Sequence, residues 1–251
     1  MQKVIQVVLA GEEGSVQVLR EKITLSNVHV YPLTTIAFKK CALSEKDKDS
    51  LKQVSSYNYL FFTSVHAVNF FIDVLKEQHI DEVSARMPPV VAVGPVTAQA
   101  CTDAGLSVVR VPSQFTVENM IKELPTLRNR KILFPRSTIA PESIVTLIRN
   151  RGAEVTTLPL YTTICRTDKL SEDDEFALKN ADYIIFLSPS SVKSFINCVS
   201  NSKLKDVRRT MTALCVGPRT TRAAHVLGFK SIITAKEFTT EGVIKTLQAL
   251  V

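Results

Sequence analysis

Short apolar runs of strand length alternate along this chain with stretches whose apolar residues recur every three or four positions. Val4 to Leu9 is a continuous apolar run, and Val16 to Ile23 follows it with helical spacing. Val28 to Tyr31 resumes a strand, which Pro32-Leu33-Thr34-Thr35-Ile36 prolongs in extended, β-branched character. Ser44 to Ser55 is polar and reads as a helix. Tyr59 to Phe62 is a buried strand ending in Thr63-Ser64, before a helix carrying Ala67, Val68, Phe71 and Leu75. Next come Val90 to Val93, a helix from Gly94-Pro95 to Gly105, strand Val108 to Val111, and a helix beginning near Thr116. Lys131 to Ser137 is again strand-like. Pro141 fits the first position of a helix running to Arg151, and Val155 to Leu158 returns as a strand. Pro159 to Ile164 echoes the segment at 32 to 36. An acidic helix opened by Ser171 and Asp174 then leads to strand Tyr183 to Leu187, Ser188, and a helix with Val192, Phe195 and Ile196. Strands alternating with helices of this length predict an α/β, doubly wound architecture of largely parallel sheet covered on both faces.

The pattern occurs twice. Val93-Gly94-Pro95-Val96-Thr97 returns as Val216-Gly217-Pro218-Arg219-Thr220, 123 residues later, and the same offset pairs Gly105 with Gly228, Phe115 with Phe238, Thr116 with Thr239 and Glu118 with Glu241. Only two copies are present. Solenoids have shorter periods and need at least three units, so a duplicated α/β unit is expected, with function sought between the halves.

Composition narrows the class. The 251 residues are 45% hydrophobic and 22% charged, enough for two domains with their own cores. No apolar stretch reaches the 18 or so residues of a spanning helix, and Met1-Gln2-Lys3 leads into a strand without a cleavage site, so a cytoplasmic, likewise membrane-free protein is expected. Five dispersed cysteines without a Cys-x-x-Cys pair suggest buried inert thiols rather than disulfides or zinc. A formal charge of +7 favours an anionic partner. The clusters at Arg128 to Lys131 and Lys203 to Arg209 read as solvated surface, and no nucleic-acid module is recognisable.

Candidate chemistry gathers at strand ends. Thr63, Ser64, Gly94, Thr97, Arg136, Ser137, Ser188, Ser190, Gly217, Thr220 and the Phe-Thr pairs at 115 to 116 and 238 to 239 all stand where a helix starts. Ligands of parallel sheets bind there, and helix N-termini offer free N–H groups to carboxylates or phosphates. Ser and Thr are also favoured caps whatever the function, so capping alone accounts for any single hydroxyl. Gly11-Glu12-Glu13-Gly14 reads as a plain turn whose carboxylates would repel an anion. The four histidines are dispersed, no Gly-x-Ser-x-Gly occurs, and an enzyme built this way needs little acid or base strength.

Five motifs in this order resemble uroporphyrinogen-III synthases: Phe62-Thr63-Ser64 with Ala67, Val93 to Ala98, Leu158 to Thr163, Phe186 to Ser190, and Val216 to Thr220. Many bacterial members carry Thr-Arg-Pro after the first strand, where this chain has Leu9-Ala10-Gly11. The resemblance implies a discontinuous first domain, 1–34 with 166–251, a second domain, 37–158, and extended connectors at 32–38 and 159–165, with the active site in the cleft between the domains. It implies closure of the linear tetrapyrrole hydroxymethylbilane to uroporphyrinogen III with inversion of ring D, by a monomer without cofactor or metal. A transient contact with the preceding pathway enzyme stays open. By that analogy Tyr161 assists departure of the substrate hydroxyl, and Thr63, Ser64, Gly94, Thr97, Arg136, Ser188, Ser190, Gly217 and Thr220 hold its carboxylates. Tyr161 as a connector aromatic packing the hinge is an equal reading, and a two-lobed small-anion binding protein is the competing class.

Overall fold

The computed structural model describes residues 4–80, 86–166, 169–200 and 207–251. Lys203 and Lys205 of the second basic cluster lie outside them. The chain divides into two compact units, Met1–Ala37 with Ile164–Val251, and Phe38–Thr163. The first unit opens with β1 (Ile5–Glu12), α1 (Glu13–Lys22) and β2 (Val28–Lys40), inside which the chain passes to the second. The second unit holds α2 (Glu45–Lys52), β3 (Tyr59–Phe62), α3 (Val65–Glu77), β4 (Val90–Ala92), α4 (Pro95–Asp103), β5 (Val108–Arg110), α5 (Val117–Glu123), β6 (Lys131–Ser137), α6 (Glu142–Arg149) and β7 (Glu154–Cys165). The chain returns to the first unit within β7, continuing as α7 (Glu172–Asn180), β8 (Tyr183–Phe186), α8 (Pro189–Ser200), β9 (Thr212–Cys215), α9 (Pro218–Val226), β10 (Ser231–Thr234) and α10 (Thr240–Gln248).

The two units share one topology. Strands of the first run in the order β10-β9-β8-β1-β2, those of the second β5-β4-β3-β6-β7, and the pairs within each are parallel. Each strand therefore has a counterpart: β8 with β3, β9 with β4, β10 with β5, β1 with β6 and β2 with β7. Alternating side chains feed two cores in each unit. In the first, Val8, Ala10, Ile184 and Phe186 pack with Val192 and Phe195 of α8, while Val7, Leu9 and Ile185 pack with Leu19 of α1 and Leu247 of α10. In the second, Leu60, Phe62 and Leu133 face α3 and α4, while Phe61, Val91 and Phe134 face α5 and α6. Phe61, Phe62, Phe134 and Phe186 are wholly buried, each stabilising by about 1.5–3 kcal/mol through area removed from water.

Local differences from expectation have visible causes. Pro141 is the N-cap of α6, with extended ψ of 133°, and not its first helical residue, and the helix ends at Arg149 before Gly152. β1 runs on to Glu12, whose carboxylate accepts from the N–H groups of Gly14 and Ser15 at 2.8 and 2.9 Å and so starts α1. In both units the second strand of the terminal pair carries a bulge: Thr35 is skipped between Gly11–Thr34 and Glu12–Ile36, and Leu160 between Arg136–Pro159 and Ser137–Tyr161. Strand register thus makes Ile36 the positional equivalent of Tyr161 in the other unit, whereas matching prolines in the sequence makes it Thr34. Cys101, Cys198 and Cys215 are buried thiols, which burial pushes up to about 12, 11 and 11.

A buried ion pair ties α7 to the first unit. Asp174 is 5% exposed, accepts from the Tyr31 hydroxyl at 2.9 Å and the Ser171 N–H at 2.9 Å, and pairs with Arg166 at 2.9 Å. Burial opposes its charge, yet the Ser171 and Tyr31 hydrogen bonds and Arg166 outweigh burial and hold the carboxyl below the usual range. A folded-state pKa below the unfolded value of about 3.9 means stability present above that value and lost as pH falls through the folded one. Asp174→Asn should cost about 2 kcal/mol at pH 7 and flatten the acid limb of stability against pH, as followed by urea unfolding.

Two glycines separate steric from conformational cost. A Cβ at Gly242, in the first turn of α10, would lie 2.1 Å from the Glu237 carbonyl oxygen, whereas Gly105 has φ 77° and open space around it. Gly105→Ala should cost about 1–2 kcal/mol of left-handed strain. Gly242→Ala must move backbone as well, and its Tm should fall further.

Candidate active site

Parallel pairing brings all the helix starts of a unit to one edge of its sheet. In an order such as β5-β4-β3-β6-β7 the direction of winding reverses between β3 and β6, and between β8 and β1 in the other unit. The turns after these strands are the expected ligand-binding places.

Side chains fill some helix starts and leave others open. Ser64 accepts from the Ala67 N–H at 3.1 Å and Ser188 from the Ser191 N–H at 3.1 Å. Thr116 and Thr239 do the same for Asn119 and Gly242. These hydroxyls are caps. At α4 and α9 the N-cap is a glycine, Gly94 or Gly217, without a side-chain hydrogen bond, and a proline occupies the first helical position. The amides of Val96 and Thr97, and of Arg219 and Thr220, therefore have no side-chain cap among the described residues, and each helix start retains its partial positive charge.

Within the first unit, the starts of α8 and α9 border a cavity of about 500 Å³ lined by Ser190, Gly217, Arg219, Thr220 and Phe238 among others. Thr220 is 2% exposed and lines this cavity. Neighbouring Thr221 is committed elsewhere, to the Gly217 carbonyl and the Thr234 hydroxyl. This cavity brings together three sequence-predicted residues, Ser190, Gly217 and Thr220.

In the second unit, Tyr161 and Ser64 meet, their hydroxyls 2.9 Å apart. The bulge in β7 makes this contact, because it lets the successive residues Leu160 and Tyr161 enter the same core. Tyr161 is buried, stacked on Phe70 at 4.9 Å and edge-on to Phe38 at 5.7 Å. Burial raises its pKa, with the Ser64 hydrogen bond acting in the opposite sense, so the phenol stays protonated at neutral pH and keeps a proton to donate. Thr63 precedes Ser64 in the same turn, and Gly94 and Thr97 lie at the start of α4 after the adjacent β4. Arg136 is turned inward: buried, it pairs with Glu142 at 2.7 Å, donates to the Ala140 carbonyl and lies over the Phe134 ring. Its charge organises the 138–141 turn.

The Phe-Thr pairs hold a residue type that hydroxyl-based reading passes over. Their threonines are caps, but Phe115 and Phe238 stand 60% and 64% exposed beside Gly94 and Gly217. The signal available in sequence was their recurrence at the 123-residue offset.

A family model described as uroporphyrinogen-III synthase HemD matches residues 17–245. The chain belongs to that family. A uroporphyrinogen-III synthase of Chlorobaculum parvum is 24% identical over 213 residues, covering 83% of this chain and 85% of that protein. The porphyrin biosynthesis protein HemD of Ruminiclostridium josui is 25% identical over 201 residues, 77% of this chain, which spans only 38% of that longer protein. The crystal structure of uroporphyrinogen-III synthetase from Helicobacter pylori superposes with a TM-score of 0.68 at 19% identity, covering 98% of this chain and all of the other, and so shares the α/β fold. Among the described residues no helix is long and apolar enough to cross a membrane.

Proposed function

We propose that this protein closes hydroxymethylbilane to uroporphyrinogen III with inversion of ring D, as a lyase of porphyrin and heme biosynthesis. The observation that carries the reading is the family match across residues 17–245. The geometry agrees with a substrate bearing four acetates and four propionates: two helix starts with unengaged amides, α4 and α9, and a basic chain.

The chemistry suits a site with little acid or base strength. The terminal pyrrole expels its hydroxyl as water, giving an azafulvene. The substituted α-carbon of ring D attacks it to form a spiro intermediate, which fragments at the old bridge and recloses through the free α-carbon with loss of a proton. Unassisted closure leaves ring D uninverted, so the protein must chiefly impose a conformation, and positioning can supply up to about 7–11 kcal/mol. On this reading the amides of α4 and α9, with Thr97 and Thr220, grip carboxylate arms, Thr63, Ser64, Ser188 and Ser190 contribute from the neighbouring starts of α3 and α8, and the Tyr161 phenol donates to the departing hydroxyl. Arg136 contributes through the turn it orders.

Freshly made hydroxymethylbilane supplied to the purified protein should yield isomer III. A product mixture identical to buffer, rich in isomer I, overturns the reading in favour of a binding protein. Tyr161→Phe should lower kcat at least about tenfold with unchanged Tm, since positioned proton donors contribute factors of about 10²–10⁴. Wild-type turnover in that variant would leave Tyr161 as core packing alone. Thr220→Ala should raise KM about tenfold, one hydrogen bond to a charged group; an unchanged KM would reduce Thr220 to a helix residue.

A further inference from the structure

We propose that Phe238 binds the face of one substrate pyrrole ring while the start of α9 holds that ring's carboxylate arm, an inference that rests on the function proposed above. Phe238 follows the edge strand β10 and directly precedes the Thr239 cap of α10, yet its ring is 64% exposed rather than folded into the core below. Phe115 repeats this at the matching place after β5, 60% exposed. Single exposed apolar residues are common on this surface, so what singles out this pair is their recurrence at equivalent positions and what stands beside Phe238.

The surroundings define the partner. The Phe238 ring abuts the α9 N-cap: a Cβ added to Gly217 would lie 3.3 Å from its Cγ, so glycine is what admits an aromatic wall beside the amides. Thr220, nearly wholly buried, lines the same cavity of about 500 Å³, as does Arg219. An apolar face adjoining a cation, a hydroxyl donor and free amides fits a flat electron-rich ring with a short acid arm. Acetate or phosphate alone would leave the phenylalanine unused. The counterpart of Arg219 is Val96, 72% exposed, so the second unit offers Phe115 and Val96 as a more apolar version of the same surface.

Steady-state kinetics with hydroxymethylbilane test this. Phe238→Ala should raise KM about 3- to 10-fold with kcat within about twofold, the range of a lost aromatic contact. Phe238→Leu, which keeps bulk without an aromatic face, should raise KM too, and Phe238→Tyr should restore it. Phe176→Ala, altering a phenylalanine 70% exposed on α7 and outside the cavity lining, should change neither constant. Equal KM for wild type, Phe238→Ala and Phe238→Leu, with isomer III still formed, overturns the ring-binding role and leaves the proposed function standing. Failure of the wild-type protein to form isomer III overturns the function itself. As an independent readout, a monopyrrole dicarboxylate titrated into the protein should show upfield-shifted ring protons by NMR, and the shift should vanish in Phe238→Ala; its persistence would also overturn the role.

Discussion

The constraint beneath this structure is that parallel strands must be covered on both faces. β1, β3, β4, β6, β8 and β9 carry apolar residues on alternate sides, and each side needs its own helices. Parallel neighbours cannot be joined by tight turns, so nearly every strand is followed by a crossover helix, and every such helix starts at the same edge of its sheet. Amide donors accumulate at that edge as a by-product of burying the sheet. Which of them remain available is then decided by one residue per helix, the N-cap.

Duplication explains why the chain order looks permuted. The first unit contains, in sequence, its fourth and fifth topological strands, β1 and β2, and only after the whole second unit its first three, β8, β9 and β10. The chain crosses between units inside two long strands, β2 and β7, both bulged at the corresponding pair of residues. The bulge has different consequences in each copy. In the first the Thr35 hydroxyl is buried without a hydrogen-bond partner among the described residues, and in the second the bulge swings Tyr161 onto Ser64.

Much of this was legible because the signals are local. Strand–hydroxyl–helix turns and the 123-residue offset each report on short stretches of sequence, and α/β architecture follows from them. What stayed hidden depends on partners distant in sequence or on backbone register. Periodicity cannot show a skipped residue, so aligning the two proline-led connectors misassigned the counterpart of Tyr161. Nor can a strand-end arginine be seen to spend its charge on Glu142 six residues later, since Arg136 reads equally well as facing a ligand. Exposed Phe238 and buried Phe186 are indistinguishable by hydropathy alone.

The two copies diverge most where charge is concerned, and the divergence identifies which helix starts can take an anion. After β1 the Glu12 carboxylate occupies the start of α1, and after β6 the Arg136 guanidinium is neutralised by Glu142 and held inward. Both turns are electrostatically closed within themselves. After β3 and β8, serine hydroxyls take one amide each. The turns after β4 and β9 alone among these six keep a glycine at the N-cap; at Gly217 an added Cβ would press on the Phe238 ring at 3.3 Å, whereas at Gly94 it would only touch Phe115 at 3.9 Å. At the start of α9 the aromatic and the uncapped amides are thus one device: Gly217, which makes room for the Phe238 ring, is also unable to cap the helix.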